Sequence, residues 1–131
     1  MGTWEVSCFE NDDAMDWVYG LEGVSNNSII AKALDTVVSS KEAYLEAHDC
    51  AVALAAAEVV AALKSRPSED IPEEVSSWVT GKPVPDAVLV SKAVRAIDRI
   101  MTNSELKDLW AESDELSQWQ DCLNDLKSRL K

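Results

Sequence analysis

Cys50-Ala51-Val52-Ala53-Leu54-Ala55-Ala56-Ala57-Glu58-Val59-Val60-Ala61-Ala62-Leu63 is the stretch on which the fold turns. A surface helix gathers its apolar residues into one stripe, but here they run round nearly the whole circumference, with Glu58 the single charge. A helix of this kind has to be surrounded by others. The spacing predicts that it extends from Lys41 to about Lys64, a span holding nine alanines, and that it is the central element of the domain.

Outward from this helix the same 3.6-residue period recurs, and no segment alternates cleanly enough to compete as a strand. On the C-terminal side, Arg66-Pro67-Ser68-Glu69-Asp70 is a linker. Pro72, Glu73 and Glu74 then have the composition of a helix start, and Gly81 that of a helix stop. A further helix is predicted from about Asp86 to Thr102, with Leu89, Val90, Ala93, Val94, Ile97 and Met101 on one face and Lys92, Arg95, Asp98 and Arg99 on the other. Asn103 or Ser104 caps a short helix, and Ser113–Glu115 is a break or a kink. Leu116, Trp119, Leu123, Leu126 and Leu130 then form a narrow seam. Two heptads are too few for an isolated coiled coil, so this seam is expected to pack on the body of the domain. On the N-terminal side, Asn11 or Asp12 caps a helix carrying Ala14, Trp17, Val18 and Leu21, which stops near Gly20 to Gly23. A second begins around Asn26 to Ser28. The expectation is one all-α domain over residues 1–131, a bundle of about six to seven helices around the central Ala-rich helix.

Composition narrows the function classes. With 131 residues, 12 basic and 24 acidic, the chain has a formal charge of −12. One domain of this length buries roughly two-thirds of its unfolded surface and needs no metal or disulfide to fold. An apolar fraction of 47% is too high for disorder. Direct binding to nucleic acid or anionic lipid requires a cationic surface and is not expected; a basic protein partner fits the charge. The N-terminus lacks the basic and apolar regions of a signal peptide, and no run approaches a membrane span, so a cytoplasmic location is expected. Cys8, Cys50 and Cys122 contain no CxxC and are expected to be reduced thiols.

Chemistry-bearing residues are few. His48 is the lone histidine, which removes multi-histidine metal sites, and its pairing with Cys8 or Cys122 would require apposition of distant elements. Asp12, Asp13 and Asp16 lie close enough to share a cation, yet the alternation of a calcium loop is missing; carboxylates at a helix start are already explained by the dipole. Glu58 has apolar neighbours on every side and must find a partner or stay protonated. It is either a general acid–base group or a structural acceptor, paired with the backbone around Gly2 to Trp4 or with the Gly2 amino group. The structural role is preferred, because no second catalytic group stands near it. The tryptophans Trp4, Trp17, Trp78, Trp110 and Trp119 are expected as core and helix-junction anchors.

The opening, Met1-Gly2-Thr3-Trp4 through Phe9, Asn11, Asp12, Ala14, Asp16 and Trp17, resembles the start of the bacterial DUF4259 family, whose pattern is roughly Met-Gly-x-Trp-Gly-x-x-x-Phe-x-Asn-Asp-x-Ala-x-Asp-Trp. The resemblance continues through Ala56–Ala62, Pro72-Glu73-Glu74-Val75 and Asn103–Leu106 to Leu109-Trp110. Glu5 departs from the pattern, standing where the family has glycine. The resemblance implies a free-standing bacterial cytoplasmic domain and makes Glu58 and the Asn11–Asp16 turn family features; it implies no activity, because the family is itself uncharacterised. The expected function is therefore a non-enzymatic interaction module, immunity- or antitoxin-like, without a cofactor and acting as a monomer or weak homodimer. The alternative is a metal-dependent hydrolase or small-ligand binder using the N-terminal cluster Asp12, Asp13 and Asp16 together with Glu58.

Overall fold

In the computed structural model, which describes residues 12–23, 27–40, 45–68 and 71–131, the Ala-rich stretch is one helix with neighbours all round. The order is α1 Asp12–Tyr19, a 3-10 turn Gly20–Gly23, α2 Ser28–Val38, α3 Ala47–Leu63, α4 Glu73–Val79, α5 Ala87–Thr102, α6 Glu105–Ala111 and α7 Leu116–Leu130. Helix α3 packs mainly against α2 and α5 and also touches α1, α4, α6 and α7. Its alanines let those helices come close, since interaxial distance follows the size of the side chains at the contact. From Cys50 to Leu63 every residue is buried except Val52. The fold is all-α; among the described residues the sole β-feature is an isolated bridge between Leu45 and Ser104.

That bridge corrects the predicted start of α3. The helix begins at Ala47, not Lys41, because the Leu45 carbonyl accepts from the Glu105 N–H at 2.8 Å. The Glu105 carboxylate in turn accepts from the Ala47 N–H at 2.8 Å. Glu46, at the N-cap position, makes no side-chain cap bond, so the first turn of α3 is capped by a carboxylate from α6. An anion there satisfies an otherwise orphaned donor and meets the positive end of the helix dipole.

The other end of α3 closes without glycine. The Arg66 N–H donates to the Ala61 carbonyl at 2.9 Å, and the Ser65 N–H to Ala62 at 2.9 Å, the paired bonds of a Schellman turn. Ser65 takes the left-handed position, with φ of 66°. The reversal carries Arg66 back toward α7.

Local signals account for most other boundaries. Asp86 caps α5 by accepting from the Leu89 N–H at 2.8 Å, and Ser104 caps α6 by accepting from the Lys107 N–H at 3.0 Å. Gly81 follows α4 with φ of 79°. Ser113–Glu115 is a true break: the Ser113 hydroxyl donates to the Trp110 carbonyl and accepts from the Glu115 N–H. The α7 seam of Trp119, Leu123, Leu126 and Leu130 is buried against α5, α3 and α6. Each fully buried leucine contributes roughly 1.5–3 kcal/mol.

The charged face of α5 is not bare solvent-facing surface. Arg99 donates to the carbonyls of Val37 and Ser40 at 2.6 and 2.9 Å, where α2 ends with no basic residue of its own in its last turn. Lys92 pairs with Asp35 on α2, and Asp98 with Lys127 on α7. Among the described residues, no helix is long and apolar enough to cross a membrane.

Candidate functional site

Among the described residues, a closed polar constellation and an open one stand at opposite ends of α3. At the closed one, Glu58 is 2% exposed, and both its carboxylate oxygens are held by the Arg129 guanidinium at 2.8 and 3.1 Å. The partner anticipated near Gly2–Trp4 lies outside the described residues; within them, it is an arginine from the last turn of α7. Burial would pull the Arg129 pKa down, but the hydrogen bond and charge of Glu58, followed by those of Asp125, outweigh it and hold it above its ordinary value. The fork is completed by Asp125 at 2.9 Å and the Arg66 carbonyl at 3.2 Å. Lys64 donates to the Leu130 carbonyl at 2.5 Å and Arg66 to Ser128 at 3.3 Å, which places cations on the last carbonyls of α7. Both Glu58 oxygens point into a bidentate arginine, so the site has the form of a clamp between α3 and α7 and not of a proton shuttle.

The open constellation is a cleft of about 300 Å³ between α1, α2 and α3. Trp17, Ile29, Ala33 and Val52 supply its apolar lining. This explains why Val52 alone escapes full burial on its stretch of α3. Lys32 and Thr36 from α2, and His48 and Asp49 from α3, supply the polar lining. At its edge His48 Nδ1 lies 3.1 Å from Asp13 Oδ1, both side chains being solvent-accessible at 65% and 37%. Lys32 forms no ion pair or side-chain hydrogen bond among the described residues.

Of the residues singled out in sequence, Gly2, Trp4, Cys8, Phe9 and Asn11 lie outside the described residues, as does the side chain of Asp12. Asp13 turns to His48, Asp16 is exposed, and Trp17 lines the cleft. Among the described residues no group of three or more His, Cys, Asp or Glu is gathered for a metal ion. His48 meets Asp13 and not a cysteine. Burial pushes the Cys50 thiol up to about 12, against a hydrogen bond with Ser104 that lowers it, which disfavours the thiolate that a nucleophilic cysteine needs. Cys50 and Cys122 are both free thiols, the former buried and the latter half-buried. Trp78, Trp110 and Trp119 are buried, the last two stacked at 6.5 Å, whereas Lys82 sits 4.4 Å above the Trp78 ring. Lys32 and Asp49 went unnoticed in sequence because each is an ordinary surface-type residue on its own helix. The only signal that could have found the cleft was Trp17 in the N-terminal motif.

The described residues define an acidic, all-helical fold with a clamped polar site at one end of α3 and an open cleft at the other. A family model described as Domain of unknown function (DUF4259) matches residues 2–121, and the chain belongs to that family. The match includes Glu58 and the whole cleft and ends before Arg129. No curated protein and no solved structure matches the chain.

Proposed function

We propose that the protein is a non-enzymatic cytoplasmic module that binds a basic protein partner, in the manner of an immunity or antitoxin protein. The observation that carries this reading is the corner between α6 and α7. Glu112 sits at the C-cap of α6, in whose last turn there is no basic residue, and a negative charge there opposes the helix dipole. Asp114 is exposed beside it, and Leu109 shows 44% of its surface one turn away. Glu112 and Asp114 carry no ion pair among the described residues. The Ser113 hydroxyl bonds and the Trp110–Trp119 stack make the corner stiff, so little conformational freedom is lost on docking.

The charge distribution supports the same reading. Most described Lys and Arg side chains are engaged within the chain: Lys64, Arg66 and Arg99 on carbonyls, Lys92, Lys127 and Arg129 on carboxylates. The cations are drawn into the fold, and the outward field is left to the carboxylates. A field of one sign speeds capture of a partner of the other.

The test is affinity capture from a lysate of the native host at low and high salt, with wild type beside a Glu112→Lys, Asp114→Lys, Glu115→Lys triple variant. A basic protein retained by the wild type at low salt, and released by salt or by charge reversal, is the expected result. Equal retention by both chains, or no partner under either condition, removes the proposal.

A further inference from the structure

The geometry points to the cleft between α1, α2 and α3 as a binding site for a small zwitterion with an apolar side group, the class of a free apolar or aromatic amino acid. This inference does not rest on the basic-partner reading, which concerns the α6–α7 corner. At about 300 Å³ the cleft stands at the small end of ligand pockets, the size of a small molecule. Its lining divides by chemistry. Trp17 offers a ring, with Ile29, Ala33 and Val52 beside it, as a surface for an apolar group. Lys32 offers an ammonium with no partner among the described residues, and Asp49 a carboxylate with no ion pair there; the two come from different helices.

Charge decides among the ligands that could use these groups. In a chain of net charge −12 a free anion is repelled by the whole-molecule field, which a single lysine does not reverse. A free cation would be drawn to any of the exposed carboxylates and would leave Lys32 opposed. A molecule with one group of each sign is neutral to the overall field and satisfies both local charges: its carboxylate meets Lys32, and its ammonium meets Asp49. His48 is held at the rim by Asp13, which keeps the imidazole to one side of the opening. The apolar lining then sets the side chain, with each methylene removed from water worth about fourfold in affinity, so glycine is discriminated against and leucine or phenylalanine favoured.

Titration calorimetry on the full chain with L-leucine and L-phenylalanine tests this, alongside L-leucine methyl ester, which lacks the carboxylate, and N-acetyl-L-leucine, which lacks the ammonium. Both free amino acids are expected to bind, and both blocked forms to bind at least about tenfold more weakly, the loss of one charged contact. Lys32→Met and Asp49→Asn, checked for unchanged helicity by circular dichroism, should each weaken leucine by a similar factor. Movement of the Trp17 indole signal in NMR spectra on adding leucine places the ligand. Overturning results are no binding of either amino acid at about 10 mM, a blocked form that binds as well as leucine, or variants that bind as the wild type does.

Discussion

Helix α3 ends in two different ways. At its C-terminal end the chain reverses through a glycine-free Schellman turn, and a buried carboxylate grips the last turn of α7 through Arg129, with Lys64 and Arg66 on the neighbouring carbonyls. At its N-terminal end the cap is borrowed from α6, the contact of His48 with Asp13 stands in solvent, and a cleft remains open beside it. The difference teaches how to read a polar group in a helical bundle. A charge out of water has to be matched by a partner of fixed geometry and so behaves as structure, whereas a charge in water is weakly coupled to the fold and stays available to a ligand.

The sharpest way to break the comparison is at Glu58. Glu58→Leu leaves Arg129, itself only 12% exposed, without its partner, and removal of one member of a buried pair costs about 3–5 kcal/mol. Denaturant unfolding should show that loss, and Glu58→Gln a large part of it. The double variant Glu58→Leu, Arg129→Met should recover most of it, because the desolvated charge is gone along with its partner. Unchanged stability in either single variant would sink the clamp.

The same pair marks how far the sequence could be read. Burial of Glu58 follows from its immediate neighbours, but its partner stands 71 residues downstream, and Asp125 four residues before Arg129 offers a local ion pair that draws attention elsewhere. The seven helices of the described residues fall within the six to seven that the periodicity implies, and their signals are local: the helix start near Asp86, the cap at Asn103 or Ser104, which the structure assigns to Ser104, and the interruption at Ser113–Glu115, which proves to be a break and not a kink. The start of α3 was not: Tyr44-Leu45 fits helical spacing, and only the backbone of Glu105, sixty residues away, takes Leu45 out of the helix. The Ser65 turn carries no glycine to announce it. The cleft was legible least of all, since its groups come from three helices and only their packing brings Trp17, Lys32 and Asp49 together.

One turn inside the open end, Cys50 is buried, and this sets a second effect. Its thiol is raised from 9.0 to about 12, chiefly by burial. The unfolded chain loses that proton above pH 9.0 while the folded chain keeps it, so the contribution is fully present below pH 9.0 and lost as pH rises to about 12. The loss has an upper bound of about 4 kcal/mol. Cys50→Ala should flatten this alkaline decline of the unfolding free energy; an unchanged slope would place the thiol in contact with water.

Smaller effects test the two termini directly. Glu105→Ala removes the borrowed cap at Ala47 and should lower stability by about 1 kcal/mol, the usual value of an N-terminal cap. If loss of the cap leaves stability unchanged, water can replace Glu105, and the open end is looser than the hydrogen bonds imply. Ser65→Gly should act in the opposite sense, raising the unfolding free energy by up to about 1 kcal/mol, because glycine takes a φ of 66° without the Cβ penalty. A loss of stability would instead assign the Ser65 side chain a contact that outweighs its strain.

The smallest expected effect belongs to Asp13→Asn, and it bears most directly on the comparison. His48 and Asp13 lie 3.1 Å apart, yet both side chains are in contact with solvent, at 65% and 37% exposure. Such pairs contribute about 0.2–1 kcal/mol, and salt at about 1 M, where the screening length falls to about 3 Å, removes much of that. The variant should therefore unfold within about 1 kcal/mol of wild type at low salt, and the gap should narrow as salt is added. A loss as large as that of Glu58→Leu would mean that α1 is clamped to α3 as firmly as α7 is, and the division of α3 into a structural and an available end would fail. A small, salt-sensitive loss would leave the open end as drawn: a rim whose charges hold their own positions without holding the fold.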